Sequence, residues 1–285
     1  MKQVLLIPCL TALFGCLAVS PARSPALAPS VALTSAARVQ PTIAAGAGSE
    51  ATQPLGVPGS WRLRFDDEFS GRRLDLHRWQ PNWLGASPDT VTPPVTRFDL
   101  NCVAPAASTE SDGRLTLTAT VRGCSAGAGR AYRYVSALIN TRSTFHFRYG
   151  FLEARIYVPA GADGRPVDFP AFWANGLGHW PSSGELDVME TLRGCGPGPA
   201  YHFHSSGLSA GGCAPAADAV GWHTYGALWE PGVVSFYYDG QPVGSVSGAV
   251  TSDPMYLVLD NSVDPVYGGQ SAAARMLVDY VRVWQ

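Results

Sequence analysis

The sequence has few charged residues and almost no lysine. Charged residues make up 15% of its 285 residues, and Lys2 is the one lysine among 20 basic residues. The formal net charge is -2, and binding to nucleic acid depends on clustered basic residues. We therefore expect neither nucleic acid nor a nucleotide as a partner, and we expect a monomer. Hydrophobic residues make up 46% of the chain, a composition typical of a folded globular protein.

Long hydrophobic runs are also missing, apart from one at the N-terminus. The run VLLIPCLTALFGCLAV follows Lys2 and is interrupted by Pro8, so it falls short of the roughly 20 apolar residues that a membrane span needs. It predicts a signal peptide over residues 1–22 and secretion. The alternative is a lipid anchor to the cell envelope through Cys16, although the bulky Phe14 favours simple secretion. The Ala-, Pro- and Ser-rich residues 23–58 predict a disordered linker.

The sequence has no Cys-x-x-Cys pair and no His/Cys cluster, which argues against a zinc site. Four cysteines follow the predicted signal, and an even number in an exported chain suggests two disulfides. Three pairings are possible. We favour Cys102–Cys124 and Cys195–Cys213, because each closes a loop of about 20 residues. Free buried thiols are the alternative.

Sustained helical periodicity is absent as well, and alternation with a period of two takes its place. The segment RLTLTATV at 114–121 alternates apolar and polar residues, and Asp239-Gly240 lies between two such runs as a hairpin signal. Glycine and proline interrupt the chain at the intervals expected of an all-β domain. We predict one antiparallel β-sandwich over residues 59–285, with a concave groove that suits a polymer.

Three acidic residues lie close together in HWPSSGELDVMET. Glu185 and Asp187 are two residues apart and would share one face of a strand. Glu190 is five residues from Glu185, so a regular strand would turn it to the other face. One extra residue near Val188-Met189, a β-bulge, would return Glu190 to the face of the other two.

Such a group of carboxyls has a chemical use. Like charges held close together raise at least one pKa, and a carboxyl group that stays protonated near neutral pH can act as a general acid. Retaining glycosidases use two carboxyl groups about 5–5.5 Å apart, one as acid/base and one as nucleophile. The alternatives are a solvated acidic strand face and a calcium site, since calcium binds clustered oxygen atoms.

The segment from residue 61 to 285 resembles glycoside hydrolase family 16. The pattern E-x-D-x-x-E at 185–190 carries the resemblance, and its six-residue spacing resembles the bulged branch of laminarin- and agar-type enzymes. Further similar segments, in chain order, are FDDEFSG, SDGRLTLTA, YGFLEARI, FPAFWANG, WHTYGALWEP, FYYDG, MYLVLDN and VDYVRVWQ.

The resemblance implies a β-jelly roll and a retaining endo-glycosidase that needs no cofactor for catalysis. In this family Glu185 would be the nucleophile, Glu190 the acid/base, and Asp187 the helper between them. A β-1,3- or mixed-linkage glucan is the favoured substrate. A galactan hydrolase of agar or carrageenan type and a transglycosylase are alternatives, as is a domain that only binds β-glucan.

The resemblance also suggests residues that bind substrate. Trp180 and Trp173 would stack on sugar rings, although a tryptophan in a β-sandwich is often a core residue. His202 and His204 share one strand face in YHFHSSG, and one of them, with His204 favoured, would help to position the acids. The alternative is a structural histidine.

Many members of this family bind a structural calcium ion. The matching positions are Glu68, the carbonyl group of Gly113, and Asp279. Ordinary surface acids are the alternative.

Overall fold

The computed structural model describes residues 53–214, 217–266, 268 and 274–285. The predicted signal peptide, Cys16 and most of the predicted linker lie outside the described residues. Residues 53–58 belong to the folded domain, although their composition predicts linker. The backbone N–H of Leu55 donates to Glu153, and Val57 packs with Phe151 and Trp284. The side chain of Val57 thus packs on a hydrophobic surface that composition alone does not indicate.

The regular secondary structure of the described chain is almost entirely β-strand. Its helical segments are two short 3-10 turns, Pro105–Ala107 and Arg193–Cys195. No helix in the described part of the chain is long and apolar enough to cross a membrane. The first eight strands are β1 (Leu63–Asp67), β2 (Asn101–Val103), β3 (Ser108–Ser111), β4 (Arg114–Thr118), β5 (Cys124–Ala126), β6 (Arg130–Tyr132), β7 (Tyr134–Asn140) and β8 (Gly150–Val158). The others are β9 (Phe169–Gly176), β10 (Glu185–Glu190), β11 (Ala200–Ser205), β12 (Leu208–Cys213), β13 (Gly221–Glu230), β14 (Val233–Tyr238), β15 (Gln241–Ser247), β16 (Met255–Ser262) and β17 (Arg275–Trp284).

Two large sheets form the domain. The eight-stranded sheet has the order β15-β14-β13-β8-β17-β4-β3, with β1 also paired to β17. The seven-stranded sheet has the order β12-β11-β10-β9-β16-β7-β2, and within it β2 pairs with β7 in parallel. The other pairs in both sheets are antiparallel, so the predicted antiparallel β-sandwich is confirmed.

The main hydrophobic cluster draws fully buried side chains from both sheets. Leu115 and Leu152 come from the eight-stranded sheet, and Phe172, Leu186 and Leu257 come from the seven-stranded sheet. Successive side chains of a strand point to opposite faces. The residues that alternate with Phe172, Leu186 and Leu257 therefore point away from the core and form the outward face of the seven-stranded sheet.

A second hydrophobic cluster covers part of that outward face. It contains Ala171 and Trp173 of β9, which alternate with the core residue Phe172. Trp83 and Val95, from the long connection between β1 and β2, pack against it. This connection therefore builds up one side of the outward face, beside β9 and β10.

Turn and disulfide predictions also agree with the structure. Asp239 and Gly240 have φ angles of 47° and 74° and join β14 to β15, as expected for a tight hairpin in which both central residues have positive φ. Cys102 pairs with Cys124, and Cys195 pairs with Cys213.

Candidate active site

The acidic residues lie on β10, an interior strand of the seven-stranded sheet, and the predicted bulge is confirmed. Against β9, Asp187 pairs with Trp173 and Met189 with Phe172, so that Val188 is an extra residue. Glu190 then pairs with Ala171. The bulge places Leu186, Val188 and Met189 in the core, while the three acids face outward.

A cavity of about 420 Å³ opens on this outward face. Its wall combines the acids of β10 with side chains from β9, β11, β16 and four connecting segments. All four predicted substrate-binding residues border it together with the three acids. The set that the prediction and the cavity share is Trp173, Trp180, Glu185, Asp187, Glu190, His202 and His204.

Glu185 is held by an aromatic donor. The indole Nε1 of Trp180 donates to its Oε1 at 2.7 Å. Burial raises the pKa of Glu185 to about 7; the bond from Trp180 opposes this rise, and the charge of Glu190 adds to it. Glu185 therefore changes its charge near neutral pH.

Asp187 is the most buried acid of the three. Its exposed fraction is 5%, and burial raises its pKa well above its usual range, with the charges of Glu185 and Glu190 adding to the rise. A protonated Asp187 can donate a hydrogen bond and lowers the negative charge of the group. Glu185 can then ionise beside it.

Two histidines of β11 face these acids across the strand pair. Nδ1 of His202 lies 2.7 Å from Oε2 of Glu190. Nδ1 of His204 lies 2.9 Å from Oγ of Ser209, and its Nε2 lies 3.5 Å from Oδ2 of Asp187. Burial, with the neighbouring His202, lowers the pKa of His204. The structure thus brings both histidines to the acids, with His202 on Glu190 and His204 beside Asp187.

Trp180 and Trp173 differ in the surface that they present. Trp180 is 39% exposed. Trp173 is 4% exposed, its ring centroid lies 5.6 Å from that of Trp83, and its Nε1 donates to Asp260 at 2.8 Å. Trp180 therefore offers a ring surface to a ligand, while Trp173 borders the cavity as a packed residue.

Asp260 and Asp99 also line the cavity, and sequence reasoning does not identify them. Burial raises the pKa of Asp260 to about 6, opposed by hydrogen bonds from Ser262 and Trp173. Burial raises the pKa of Asp99 to about 7. The available sequence signal for Asp260 is the segment MYLVLDN, which contains it and resembles a segment of the family.

The three residues predicted to bind calcium do not fit a calcium site as they stand. Both carboxylate oxygens of Glu68 accept hydrogen bonds from Arg282, at 2.7 and 2.8 Å. Asp279 accepts one from Arg155 at 2.8 Å. Gly113, with a φ of 70°, lies in the turn between β3 and β4. Guanidinium groups already balance both carboxylates, so a cation would have to displace them, and calcium binding stays a prediction.

Comparison with known proteins agrees with this geometry. A family model described as "Glycosyl hydrolases family 16" matches residues 97–261, more than half of the chain. The endo-1,3-1,4-beta-glycanase EglC of Rhizobium meliloti is 31% identical over 186 residues, which cover 61% of this chain and 38% of EglC. The glucan endo-1,3-beta-glucosidase A1 of Niallia circulans is 27% identical over 265 residues, which cover 78% of this chain and 38% of that protein.

The chain therefore spans about two fifths of the length of these curated relatives. Among solved structures, the endo-beta-1,3-glucanase from Pyrococcus furiosus has a TM-score of 0.66 at 23% identity, covering 79% of this chain and 94% of that one. At this identity the match supports the fold. On the family model, the chain belongs to glycosyl hydrolase family 16.

Proposed function

We propose that the protein is an endo-acting hydrolase of a neutral β-linked glucan with 1,3 or mixed 1,3-1,4 linkages. The observation that carries the proposal is the bulge at Val188, which turns three carboxyl groups of one strand into a single cavity. The relatives named above are an endo-1,3-1,4-beta-glycanase and a glucan endo-1,3-beta-glucosidase, which supports these linkages.

The proposed mechanism is a double displacement. Glu190 donates a proton to the glycosidic oxygen while the carboxylate of Glu185 attacks the anomeric carbon, which forms a covalent glycosyl-enzyme and releases one sugar chain. Glu190 then takes a proton from water, the water oxygen attacks the same carbon, and Glu185 leaves. Two displacements at one carbon retain its configuration.

The neighbouring side chains support these roles. The bond from Trp180 fixes one oxygen of Glu185, and a protonated Asp187 can stabilise the negative charge of Glu185 between turnovers. His202 holds one oxygen of Glu190 at 2.7 Å, which limits the directions in which that carboxyl group can transfer its proton.

The charge of the cavity favours a neutral chain. Among its described lining residues there is no arginine or lysine. An anionic polysaccharide such as carrageenan would be repelled wherever these acids are ionised, whereas glucan hydroxyl groups can hydrogen-bond to them. Six carboxyl groups line the cavity, namely Asp99, Glu185, Asp187, Glu190, Asp260 and Asp264.

We also propose that the protein is exported and acts as a monomer. The two disulfides support export, because such bonds persist in oxidising compartments. All three proposed catalytic acids lie on one strand, β10, so a single subunit supplies them.

The test is a panel of polysaccharides. The protein is incubated with laminarin, lichenan, agarose and carrageenan, and reducing ends are measured. We expect cleavage of laminarin or lichenan and none of carrageenan. The Glu185→Gln variant should lose this activity, and Glu230→Gln, at an exposed residue at the end of β13, is the matched control.

The other outcomes are equally informative. Cleavage of agarose alone would replace the glucan with a galactan. If the wild type and Glu185→Gln are equally inert on every polysaccharide but still bind one, the chain is a binding domain. If Glu185→Gln cleaves as fast as the wild type, Glu185 is not the nucleophile.

A further inference from the structure

We propose that Asp187, His202 and His204 form a binding site for a transition-metal ion, with Zn²⁺ as the reference ion. Each of the three side chains offers one ligand atom, and these atoms all lie within 4.8 Å of one another. A tetrahedral zinc ion with bonds of about 2.0–2.2 Å to nitrogen and oxygen holds its ligand atoms roughly 3.3–3.6 Å apart. Side-chain shifts of about 1 Å would bring the three ligand atoms to these separations.

The strand pairing of β10 with β11 creates this arrangement. Asp187 and His202 lie directly opposite each other in the register. His204 is two residues further along β11 and therefore points to the same face. The two imidazole rings are nearly parallel, with an interplanar angle of 19° and centroids 5.6 Å apart. All three side chains thus converge on one part of the cavity wall.

The second nitrogen of each imidazole has a partner of its own. Nδ1 of His202 lies 2.7 Å from the carboxylate of Glu190, and Nδ1 of His204 lies 2.9 Å from the hydroxyl group of Ser209. These contacts leave Nε2 of each ring available to bind an ion. Histidines that bind metals commonly have such a carboxylate or hydroxyl partner on the other nitrogen, which fixes the ring and raises its basicity.

The donor set determines which ions fit. Two imidazole nitrogens and one carboxylate oxygen suit Zn²⁺, Cu²⁺ and Ni²⁺, whereas Mg²⁺ and Ca²⁺ prefer oxygen ligands alone. Three protein ligands leave one position of a tetrahedral ion to water or to a sugar hydroxyl group. The site is distinct from the predicted calcium site at Glu68, which contains no histidine.

Metal binding here has a consequence that rests on the proposed function. Asp187 lies between Glu185 and Glu190 on the strand, so an ion bound to it occupies the place of the reacting sugar. Zn²⁺ should therefore inhibit hydrolysis by raising the apparent KM for glucan, and EDTA should restore the original KM.

Calorimetric titration tests the site without any measurement of activity. Zn²⁺ is titrated into the full chain. Every protein in the experiment carries Cys9→Ser and Cys16→Ser, because a cysteine thiol can itself bind zinc. We expect one Zn²⁺ ion to bind per chain. Added Ca²⁺ should not weaken the binding of Zn²⁺. His202→Ala and His204→Ala should each weaken Zn²⁺ binding at least about tenfold, the smallest effect that loss of even an outer partner has on metal affinity.

The control is His77→Ala, an exposed histidine on the loop after β1, which should bind Zn²⁺ like the wild type. Thermal unfolding shows whether each variant is folded, and His202→Gln replaces His202→Ala if the latter is not. Unchanged affinity in folded variants of His202 and His204, or weaker binding in His77→Ala, would overturn the proposal. Because calorimetry reports binding directly, the site can be confirmed or rejected even if no polysaccharide is cleaved.

Discussion

Replacing Glu185 by glutamine should make the folded protein more stable at alkaline pH. Glutamine keeps the shape of the side chain and an oxygen that can accept the bond from Trp180, but it removes the charge. Burial raises the pKa of Glu185 in the folded state from 4.5 to about 7. In the unfolded chain the pKa stays near its ordinary value.

The sign of the effect follows from these two values. An acid with a raised pKa in the folded state binds its proton more tightly there, so its contribution to stability is complete below about pH 4.5 and is lost as the pH rises to about 7. Above that pH, keeping Glu185 ionised and buried costs about 3 kcal/mol. The carboxyl groups of Asp187 and Glu190 lie nearby and can take up part of the change in charge. We therefore expect a slightly smaller measured gain for Glu185→Gln, about 2–3 kcal/mol in the free energy of unfolding.

Urea denaturation at pH 8 and pH 4 provides the measurement. The free energy of unfolding of Glu185→Gln should exceed that of the wild type at pH 8 and should match it at pH 4. Glu230→Gln, at an exposed position, should match the wild type at both. The reasoning is refuted if Glu185→Gln is no more stable than the wild type at pH 8, or if its gain is the same at pH 4.

Three further predictions concern catalysis and folding. The kcat/KM for glucan should rise with pH up to an apparent pKa of about 7, because Glu185 attacks only when ionised; a rise complete by pH 5 would contradict this. His202→Ala should lower kcat about 10- to 100-fold, because removing His202 leaves the carboxyl group of Glu190 without its hydrogen-bond partner, which costs about 1–3 kcal/mol; steady-state kinetics that show only a higher KM would exclude this role. Replacing Cys195 and Cys213 together by serine should lower the free energy of unfolding by about 3 kcal/mol, and a loss below about 1 kcal/mol in urea would contradict a stabilising disulfide.

The bulge shows what local sequence can establish. The five-residue separation of Glu185 and Glu190 conflicts with a period of two, and a single extra residue resolves the conflict. The register against β9 places that residue at Val188. This prediction succeeds because both the pattern and the distortion lie within six consecutive residues.

Residues that reach the cavity from distant segments are harder to predict. Asp260 comes from β16, and Asp99 from the connection before β2. Neither lies near GELDVMET in the chain, and nothing in their local spacing indicates that they face it. Only the strand order, with β16 next to β9, brings Asp260 to Trp173.

Predictions about single side chains were limited by packing. Sequence reasoning assigns sugar stacking to both Trp180 and Trp173, with Trp180 favoured. In the structure Trp83 from another loop packs against Trp173, which is buried, while Trp180 is exposed. Similarly, an acidic residue such as Glu68 can be recognised in a motif, but its pairing with Arg282 depends on strands β1 and β17 lying side by side.

The most direct test of the proposed double displacement is the configuration of the first product. Proton NMR of a fresh reaction with laminarin follows the anomeric signals of the new reducing ends before they equilibrate. Attack by Glu185 followed by attack by water predicts that the β-anomer appears first and the α-anomer grows in later. Initial release of the α-anomer would contradict a nucleophilic Glu185 and the pairing of Glu185 with Glu190 on which the account depends.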